Sequence, residues 1–326
     1  MKLRILAAAE VERALDQDEL VGALADSFAR LSAGAASMPQ RIAVEVPEQR
    51  AAVLLMGVHL DGRSSVTTKL VSLFPHNPRG GPPTHQAAIV VFDAATGTPT
   101  ALMDGTSITT LRTAAASRLA TRLLARPDAS ILAVLGTGVQ GEAHARALAR
   151  ERPWEQLRIA GRDRAGADRL ADRLREETGA PAAAADSFEA AMDGADVVCA
   201  ATAATEPVVR RKWLAPGTHV NSVGYTTAGR EVDTETVRDA MVVVESRTAA
   251  LAESNDIRWA IRDGVAERDA VHAELGELVA GTRAGRTAPA QITLYKSLGV
   301  AAEDDAAAAL VIAAAERERL GTVVEL

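Results

Sequence analysis

Hydrophobic positions follow two different spacings in the first third of the chain. Residues 11–32 show helical spacing, with leucines and a phenylalanine on one side, which predicts helix over this segment. From Ile42 to Val71 the runs IAVEV, AAVLLMGVHL and SSVTTKLVSLF are typical of strands, and AAIVVFDAATGTPTALMDG predicts a hairpin with its turn at Ala-Thr-Gly. We therefore expect an α+β segment with a mixed or antiparallel sheet.

Strands and helices alternate after about residue 107. A helix predicted over SITTLRTAAASRLATRLLA is closed by Pro127, and the strand-like runs ILAVLG, LRIAGR, VVCAAT, HVNSVG and MVVVES follow, with helices over 140–150 and 165–177. Such alternation predicts a parallel, doubly wound sheet of the Rossmann type, and hence an α/β fold class. An alanine-rich run over 304–318 predicts a final helix.

Length and charge limit the classes of function. At 326 residues the chain exceeds the size at which one core usually stops growing, so two domains are expected. A net charge of -7, without a basic stripe, argues against a nucleic-acid partner. Acidic residues near the N-terminus exclude a signal-peptide core, and charges interrupt every apolar run short of a membrane span. We expect a soluble, cytoplasmic protein with no membrane partner.

Neither cysteine nor histidine usage predicts a metal site. Cys199 is the only cysteine, which excludes a disulfide framework and a cysteine metal site and fits a reducing compartment. The six histidines are scattered, and none forms a pair at ligand spacing. We therefore expect no metal cofactor.

A dinucleotide-binding fingerprint lies in ILAVLGTGVQGEAHARAL. Gly136, Gly138 and Gly141 have the GxGxxG spacing, directly after an apolar strand and at the start of a helix. The first glycine permits the tight turn, the second lets the backbone approach the pyrophosphate, and the third allows close packing of helix and strand. The start of the helix offers unpaired N–H groups to the phosphates. The segment therefore predicts binding of NAD or NADP.

The end of the second strand distinguishes the two cofactors. An acidic residue there binds the ribose 2′-hydroxyl, whereas an arginine accommodates a 2′-phosphate. The strand LRIAG ends in Gly161, Arg162, Asp163 and Arg164, so the strand-end side chain is missing and the next one is cationic. Arg162 can stack on adenine and bind phosphate, and Arg164 adds charge. This favours NADPH; the alternative is that Asp163 reaches the ribose.

Three cations before the fingerprint are candidate ligands for a carboxylate. Arg41 follows Met-Pro-Gln, Lys69 lies in the apolar strand TTKLVSLFP, and Arg112 lies among small residues in DGTSITTLRTAAAS. Two arginines and a lysine suit a substrate carboxylate. Their spacing alone does not bring them together, and each taken singly also fits a surface or salt-bridged cation.

Several motifs together resemble one family. In order along the chain, MPQR, TTKLVSLFPHN, THQA, MDGTSITTLRTAAASRLA, LGTGVQGEAHARAL, ATEPVV, THVNSVG, AELGELVAG and TLYKSLGVAAED resemble the ornithine cyclodeaminase/mu-crystallin family, from about residue 38 to the C-terminal helix. The resemblance implies a homodimer. It also implies a substrate-binding and dimerisation domain, residues 1–118 completed by 300–326, beside a Rossmann domain, residues 119–299.

The resemblance assigns site residues as well. Arg41, Lys69 and Arg112 match the family's ligands for the substrate carboxylate, and Thr84 and His85 match positions near the cofactor. For His85, a structural role in a loop rich in glycine and proline is the alternative. The remaining cofactor matches are Gly136, Thr137, Gly138, Val139 and Gln140 at the pyrophosphate, Arg162 and Asp163 at the adenosine, and Thr202, Ala203, Val223 and Leu298 elsewhere.

One departure from the family bears on the reaction. In cyclodeaminases and some alanine dehydrogenases an aspartate soon follows the VNSVG strand, whereas here no acid occurs between Gly224 and Glu231. A missing acid/base disfavours cyclodeamination, which needs attack of water or an amine on an imine. The mu-crystallin-like ketimine reductases also lack this aspartate, and they carry a string close to YKSLG, residues 295–299 here. Net reduction is therefore favoured.

The expected reaction is NAD(P)H-dependent reduction of a small 2-imino acid to the L-amino acid, the imine being cyclic, such as pyrroline- or piperideine-2-carboxylate, or acyclic. Arg41 and Arg112 would hold the carboxylate, Lys69 would donate the proton or anchor the substrate, and Thr226 would contact the imine. The alternatives are an ornithine or lysine cyclodeaminase with tightly bound NAD, an amino-acid dehydrogenase or reductive-amination enzyme, and a non-catalytic NADP-dependent binding protein.

Overall fold

The chain divides into two compact units in a computed structural model that describes residues 2–78, 80–224 and 228–325. Unit 1 comprises Met1–Arg112 and Val300–Leu326, and unit 2 comprises Thr113–Gly299. The division falls after Arg112, inside a helix, whereas the sequence predicted it after residue 118. Because the helix runs uninterrupted through this point, no turn residue marks the division.

The N-terminal part of unit 1 is rich in strands, as its hydrophobic pattern predicts. Its elements are β1 (Lys2–Leu6), α1 (Ala8–Ala14), α2 (Gln17–Ser32), β2 (Ala36–Ser37), β3 (Ile42–Val46), β4 (Ala51–Leu60), β5 (Ser65–Leu73), β6 (His85–Asp93), β7 (Pro99–Asp104) and α3 (Gly105–Leu124). The predicted hairpin is formed by β6 and β7, which pair antiparallel.

The helical segment predicted over residues 11–32 is interrupted, because it contains the end of α1 and the whole of α2. The carboxylate of Asp16 accepts hydrogen bonds from the backbone N–H groups of Asp18 and Glu19, both at 2.9 Å, and so caps the start of α2. Leu15 and Asp16 both have extended backbone conformations. The N-cap preference of aspartate therefore outweighs the continuous spacing of the leucines.

Unit 2 alternates strands and helices. Its elements after α3 are β8 (Ile131–Leu135), α4 (Val139–Ala149), β9 (Gln156–Ala160), α5 (Arg164–Thr178), β10 (Ala182–Ala184), α6 (Phe188–Met192), β11 (Val197–Ala200), β12 (His219–Ser222), α7 (Thr234–Asp239), β13 (Met241–Val244), α8 (Arg247–Glu253), α9 (Asn255–Arg262), β14 (Val271–Glu274), α10 (Leu275–Val279) and β15 (Thr293–Lys296). The strands form a parallel sheet in the order β10-β9-β8-β11-β12-β15-β13-β14. The predicted α/β class with a doubly wound parallel sheet is therefore confirmed.

The carboxyl ends of the central strands of this sheet lie level. The register pairs Ala160 with Leu135, Leu135 with Ala200, Ala200 with Ser222, and Ser222 with Lys296. The loops that follow these residues therefore share one edge of the sheet. The strand order reverses between β8 and β11, and such a switch point is where dinucleotides bind in open parallel sheets.

Separate hydrophobic cores cover the two faces of this sheet. Leu132 of β8 packs in one core with Leu148 of α4 and Leu170 of α5. Leu135 of the same strand belongs to the other core, with Val220 of β12. The side chains of β8 point alternately into the two cores, which explains why this strand is almost continuously apolar.

The chain returns to unit 1 as α11 (Ala301–Glu318) and β16 (Thr322–Glu325). The unit 1 sheet has the order β16-β1-β7-β6-β5-β4-β2, with β3 paired to β4, and its pairs are antiparallel except β1 with β7. Helix α11 packs against α2 and against β4 and β5, so it covers one face of the sheet. Among the described residues, no helix is long and apolar enough to cross a lipid bilayer.

Candidate functional site

Lys69 is a buried cation in the middle of the unit 1 sheet. The register places it between Met56 of β4 and Ile89 of β6, and its side chain is 2% exposed. It lies on the covered face because side chains alternate along β5, so that its neighbour Leu70 is exposed instead. The Nζ atom lies 2.8 Å from Oδ1 and 2.7 Å from Oδ2 of Asp304. A charge in an apolar strand is thus matched by a buried counter-ion.

Arg112 of α3 joins the same cluster. Its Nη1 donates to Oε2 of Glu303 at 2.8 Å, and its Nε donates to Oδ1 of Asp304 at 3.3 Å. Asp304 therefore bridges Arg112 and Lys69. Two of the cations that the sequence assigns to a substrate carboxylate are brought together in one buried cluster.

Arg41 lies farther from this pair. It precedes β3, whose first residue Ile42 pairs with Leu55, so Arg41 is level with Met56. Met56 in turn pairs with Lys69 on the next strand. Since neighbouring strands are about 4.8 Å apart, the backbones of Ile42, next to Arg41, and Leu70, next to Lys69, lie roughly 10 Å from one another across β4.

The acids of the cluster come from the first turn of α11. Glu303, Asp304 and Asp305 are all at most 1% exposed. The Oε1 atom of Glu303 accepts a hydrogen bond from the N–H of Val300 at 2.8 Å, and Oδ1 of Asp305 accepts one from the Thr67 hydroxyl at 2.6 Å. Sequence reasoning missed these acids. The signal that could have found them is Lys69 itself, because a lysine in an apolar strand requires a buried acidic partner.

Burial lowers the pKa of Lys69 to about 8; the charge of Asp304 opposes this shift, and that of Arg112 adds to it. At neutral pH the side chain is therefore mostly an ammonium with a pKa close to the working pH, as suits a general acid.

Desolvation lowers the pKa of His85, with further lowering by the charges of Lys69 and Arg112, although the surface of His85 is exposed. His85 thus lies within electrostatic range of the cluster, and its neighbour Thr84 accepts a backbone hydrogen bond in the same loop.

The glycine loop of unit 2 has the shape of a pyrophosphate cradle. Gly136 has a φ of +116°, and a Cβ there would stand 2.4 Å from the carbonyl oxygen of Ala201. A Cβ on Gly141 would stand 2.1 Å from the carbonyl oxygen of Gly136. Gly138, the N-cap of α4, has nothing within 4 Å of its Cβ position. The open space in front of the free N–H groups of α4 fits a dinucleotide phosphate.

The other predicted residues of this loop line the same space. Val139 and Gln140 form the first turn of α4, and the side chain of Val139 is 70% exposed. Thr137 packs beside Gly161: a Cβ on Gly161 would stand 2.9 Å from the methyl group of Thr137. The missing side chain at Gly161 therefore lets β9 approach the glycine loop.

Arg162 follows Gly161 and is exposed to solvent. Within residues 2–78, 80–224 and 228–325 its guanidinium makes no hydrogen bond or ion pair, so it is available to an anion. Asp163 instead caps α5: its carboxylate oxygens accept hydrogen bonds from the N–H groups of Ala165 and Gly166, each at 3.1 Å. Arg164 is paired with acidic side chains of its own unit.

Glu231 connects the loops that follow β11 and β12. Its carboxylate accepts hydrogen bonds from the N–H and hydroxyl of Thr202 at 2.7 and 2.8 Å, from the Ser222 hydroxyl at 2.8 Å, and from the N–H of Gly224 at 2.7 Å. Since Glu231 is 1% exposed, these bonds are shielded from water. The sequence analysis noted this residue only as the first acid after Gly224.

Lys296, the last residue of β15, contacts the loop that follows β12. Its Nζ donates to the carbonyl oxygen of Gly224 at 2.7 Å and to the Ser222 hydroxyl at 3.1 Å, and lies 3.0 Å from Oδ2 of Asp256. The Oδ1 atom of Asp256 accepts the N–H of Glu231 at 2.8 Å. This buried network holds the backbone at Thr202 and Gly224, next to the predicted cofactor positions.

The remaining predicted cofactor contacts occupy this edge too. Ala203 follows β11, the N–H of Val223 donates to the carbonyl oxygen of Ala200 at 2.8 Å, and the N–H of Leu298 donates to Glu245 at 3.1 Å. Thr226, predicted to contact the imine, lies outside the described residues. Among the residues that are described, no three His, Cys, Asp or Glu side chains group as metal ligands.

The glycine loop, the cation cluster and Lys296 all fall within residues 1–319, which match a model of the Ornithine cyclodeaminase/mu-crystallin family. The chain belongs to this family. The resemblance inferred from its motifs is therefore confirmed.

Relatives of known activity match almost the full length. Ketimine reductase mu-crystallin of Mus musculus is 35% identical over 312 residues, which cover 94% of this chain and 95% of the relative. The structure of Thermococcus litoralis Delta(1)-pyrroline-2-carboxylate reductase in complex with NADH and L-proline has a TM-score of 0.94 at 36% identity, over 98% of this chain and 99% of that one. An archaeal alanine dehydrogenase dimer with bound NAD has a TM-score of 0.94 at 31% identity, with both chains covered in full.

Proposed function

We propose that this chain reduces a small 2-imino acid to the corresponding L-amino acid, with NADPH as the preferred reductant. The observation that carries the proposal is the buried pair of Lys69 and Arg112, a proton donor beside a carboxylate ligand. The chain is an NAD(P)-dependent oxidoreductase acting on C=N and CH–NH bonds, a class that it shares with its full-length relatives.

The chemistry divides between cofactor and side chains. When bound, the reduced nicotinamide supplies a hydride to the imine carbon. As the π bond is lost, its electron pair moves to the nitrogen, which takes a proton from the Lys69 ammonium, and a CH–NH group results. Arg112 binds the substrate carboxylate and Arg41 adds a second positive charge, so that the reacting carbon is held in one orientation. Thr226 is proposed to contact the nitrogen.

A cyclic ketimine is the favoured substrate class. The support comes from relatives, since one is named a ketimine reductase and another a Delta(1)-pyrroline-2-carboxylate reductase seen with L-proline. The missing acid between Gly224 and Glu231 supports reduction over cyclodeamination, because the latter needs a further acid/base.

The preference for NADPH rests on the end of β9. Arg162 is an exposed guanidinium available to a 2′-phosphate, while the carboxylate of Asp163 caps α5 and Gly161 offers no side chain to a ribose hydroxyl. A cofactor without the 2′-phosphate would leave Arg162 without its ligand. NADH is therefore expected to react at a higher KM.

The proposal is tested by following NADPH and NADH absorbance near 340 nm, where the reduced nicotinamide absorbs. The panel holds Δ1-pyrroline-2-carboxylate, Δ1-piperideine-2-carboxylate, and pyruvate or glyoxylate with ammonia or methylamine. Rapid oxidation with a cyclic ketimine, faster with NADPH, supports the proposal. Silence across the panel, together with ammonia released from ornithine or lysine, would assign a cyclodeaminase instead.

We also propose a homodimer formed through the uncovered face of the unit 1 sheet. Ile42, Leu55 and Leu70 pair across three strands on the face opposite α11, and Ile42 and Leu70 are 63% and 40% exposed. An apolar sheet face of this kind is typical of an interface, and an archaeal relative is a dimer. Light scattering should give twice the chain mass for the wild type and the chain mass for Leu70→Glu. A monomeric wild type would overturn this part of the proposal.

A further inference from the structure

We propose that Asp304 is a positioning residue, which fixes the Lys69 ammonium in place and keeps it protonated for the transfer to the imine nitrogen. This inference rests on the proposed reductase function and names a group that the function itself does not require. It assigns a role to the last residue of the motif TLYKSLGVAAED, to which the sequence analysis gave none.

The geometry of the pair supports the assignment. Both carboxylate oxygens of Asp304 lie within 2.8 Å of Nζ of Lys69, and the two side chains are 0% and 2% exposed. Such a contact allows the ammonium little rotational freedom. The only other hydrogen bond from Nζ within the described ranges is a long one, 3.4 Å, to the Thr109 hydroxyl. Asp304 therefore determines where the ammonium points.

The position of Asp304 in its helix suits its role as a partner for cations. It lies in the first turn of α11, an 18-residue helix, where the positive end of the helix dipole stabilises an anion. Arg112 adds a hydrogen bond to the same oxygen that accepts from Lys69. Asp304 is therefore the shared partner of the Lys69 and Arg112 cations.

The two neighbouring acids are engaged elsewhere. Glu303 accepts from the N–H of Val300 and from Arg112, and Asp305 accepts from the hydroxyls of Thr67 and Ser65. Asp304 is the member of the trio that contacts Lys69.

The charged groups around Lys69 act in opposite directions. Arg112 of α3 disfavours its protonation, and the acids of α11 favour it, Asp304 more strongly than Glu303. Desolvation lowers the pKa of His85 of β6, and the charges of Lys69 and Arg112 lower it further. If Asp304 became a neutral amide, burial and Arg112 would outweigh Glu303. Lys69 would then lose its proton at lower pH.

The test compares the pH profiles of kcat/KM for wild type, Asp304→Asn, Asp304→Glu and Asp305→Asn on the best substrate of the panel. The alkaline limb of the Asp304→Asn profile should move to lower pH by about one unit or more, and the rate at pH 7.5 should fall by roughly tenfold or more. Asp304→Glu should return the limb toward its wild-type position. In Asp305→Asn the limb should not move, because the missing charge is not the partner of Lys69.

A direct titration separates failure of this inference from failure of the proposed function. The chain has four lysines, Lys2, Lys69, Lys212 and Lys296, so NMR of lysine-labelled protein gives few signals, and Lys69→Met identifies the one of interest. The Lys69 signal should titrate at lower pH in Asp304→Asn than in the wild type, whether or not any imine is reduced. An unchanged titration in a folded variant, with an unmoved alkaline limb, would overturn the inference.

Discussion

The carbonyl oxygen of Gly136 lies 2.1 Å from the point at which a Cβ on Gly141 would stand. Gly138, which lies between them, has no atom within 4 Å of its own Cβ position. We expect Gly141→Ala to destabilise the free protein by about 1–3 kcal/mol, because the turn between β8 and α4 must move. Gly138→Ala should change the stability of the free protein by less than about 0.5 kcal/mol, but it should weaken NADPH binding, because the methyl group enters the phosphate space.

Thermal unfolding without cofactor and fluorescence titration with NADPH measure these two effects separately. Equal destabilisation by the two substitutions would contradict the steric distinction between Gly138 and Gly141. Undiminished NADPH affinity in Gly138→Ala would place the pyrophosphate elsewhere.

Replacing Lys69 by methionine removes the proposed proton donor at nearly the same side-chain length. We expect kcat/KM for the imine to fall roughly 100-fold or more. The Kd for NADPH should stay at its wild-type value, because the glycine loop and Arg162 lie in unit 2. Lys212→Met, an exposed lysine beside Trp213, is the matched control and should retain the wild-type rate. A near-normal rate in a folded Lys69→Met protein would rule out the role.

Arg162→Gln removes the cation proposed to bind the 2′-phosphate. A charge-assisted hydrogen bond of this kind corresponds to roughly a tenfold to hundredfold change in affinity, so the KM for NADPH should rise by that factor while the KM for NADH changes little. Arg150→Gln, at the opposite end of α4, controls for a general loss of positive charge. An equal rise in the KM for NADPH and for NADH would show that Arg162 does not bind the 2′-phosphate.

Glu231→Gln introduces an NH₂ group where the structure has four donors converging on one carboxylate. We expect a loss of about 1–3 kcal/mol in the free energy of unfolding, and weaker NADPH binding because the Thr202 and Gly224 loops lose their common anchor. Glu235→Gln, at an exposed position of α7, should change neither quantity. Unaltered affinity in Glu231→Gln would show that the network serves stability alone.

His219 links stability to pH. Burial lowers its pKa to about 3, and the charge of Arg286 contributes, while the ring is hydrogen-bonded to Thr293 and Asn221. The unfolded chain binds a proton at this histidine below about pH 6.5, whereas the folded protein does not. Its contribution is therefore fully present above pH 6.5 and declines as the pH falls toward 3, by up to about 1.4 kcal/mol per pH unit.

Urea unfolding between pH 4 and 7 measures this dependence. His219→Gln should show a shallower slope, and His76→Gln, at an exposed loop position, should keep the wild-type slope. Parallel slopes for wild type and His219→Gln would mean that another group controls acid stability.

Unit 2 was largely predictable because its signals are local. Strands β8, β11 and β13 are short apolar runs, and the glycine loop requires Gly136 for its φ of +116° and Gly141 for its approach to the carbonyl oxygen of Gly136. The place of β15 between β12 and β13 was not predictable. Such pairing of strands distant in sequence depends on how whole layers pack, which no window of sequence encodes.

The candidate site was predictable only in part. Lys69 and Arg112 were singled out as cations in the sequence and brought together by family resemblance, but their partners Glu303 and Asp304 were not identified. Acids in the first turn of a helix are common because of the helix dipole, so the pattern does not distinguish a solvated acid from a buried one. The same holds for Lys296, whose burial follows from its place in the middle of a sheet rather than from its neighbours in sequence.

The return of α11 to unit 1 has a consequence for synthesis of the protein on the ribosome. Asp304 follows Lys69 by 235 residues, and at the usual elongation rate of about 5–20 residues per second the nascent strand waits roughly 10–50 s for its counter-ion. Unit 2 is continuous in sequence and all of it precedes α11. The order of translation therefore lets the Rossmann sheet assemble first, while the earliest-made sheet is completed last, when its neutralising carboxylates emerge.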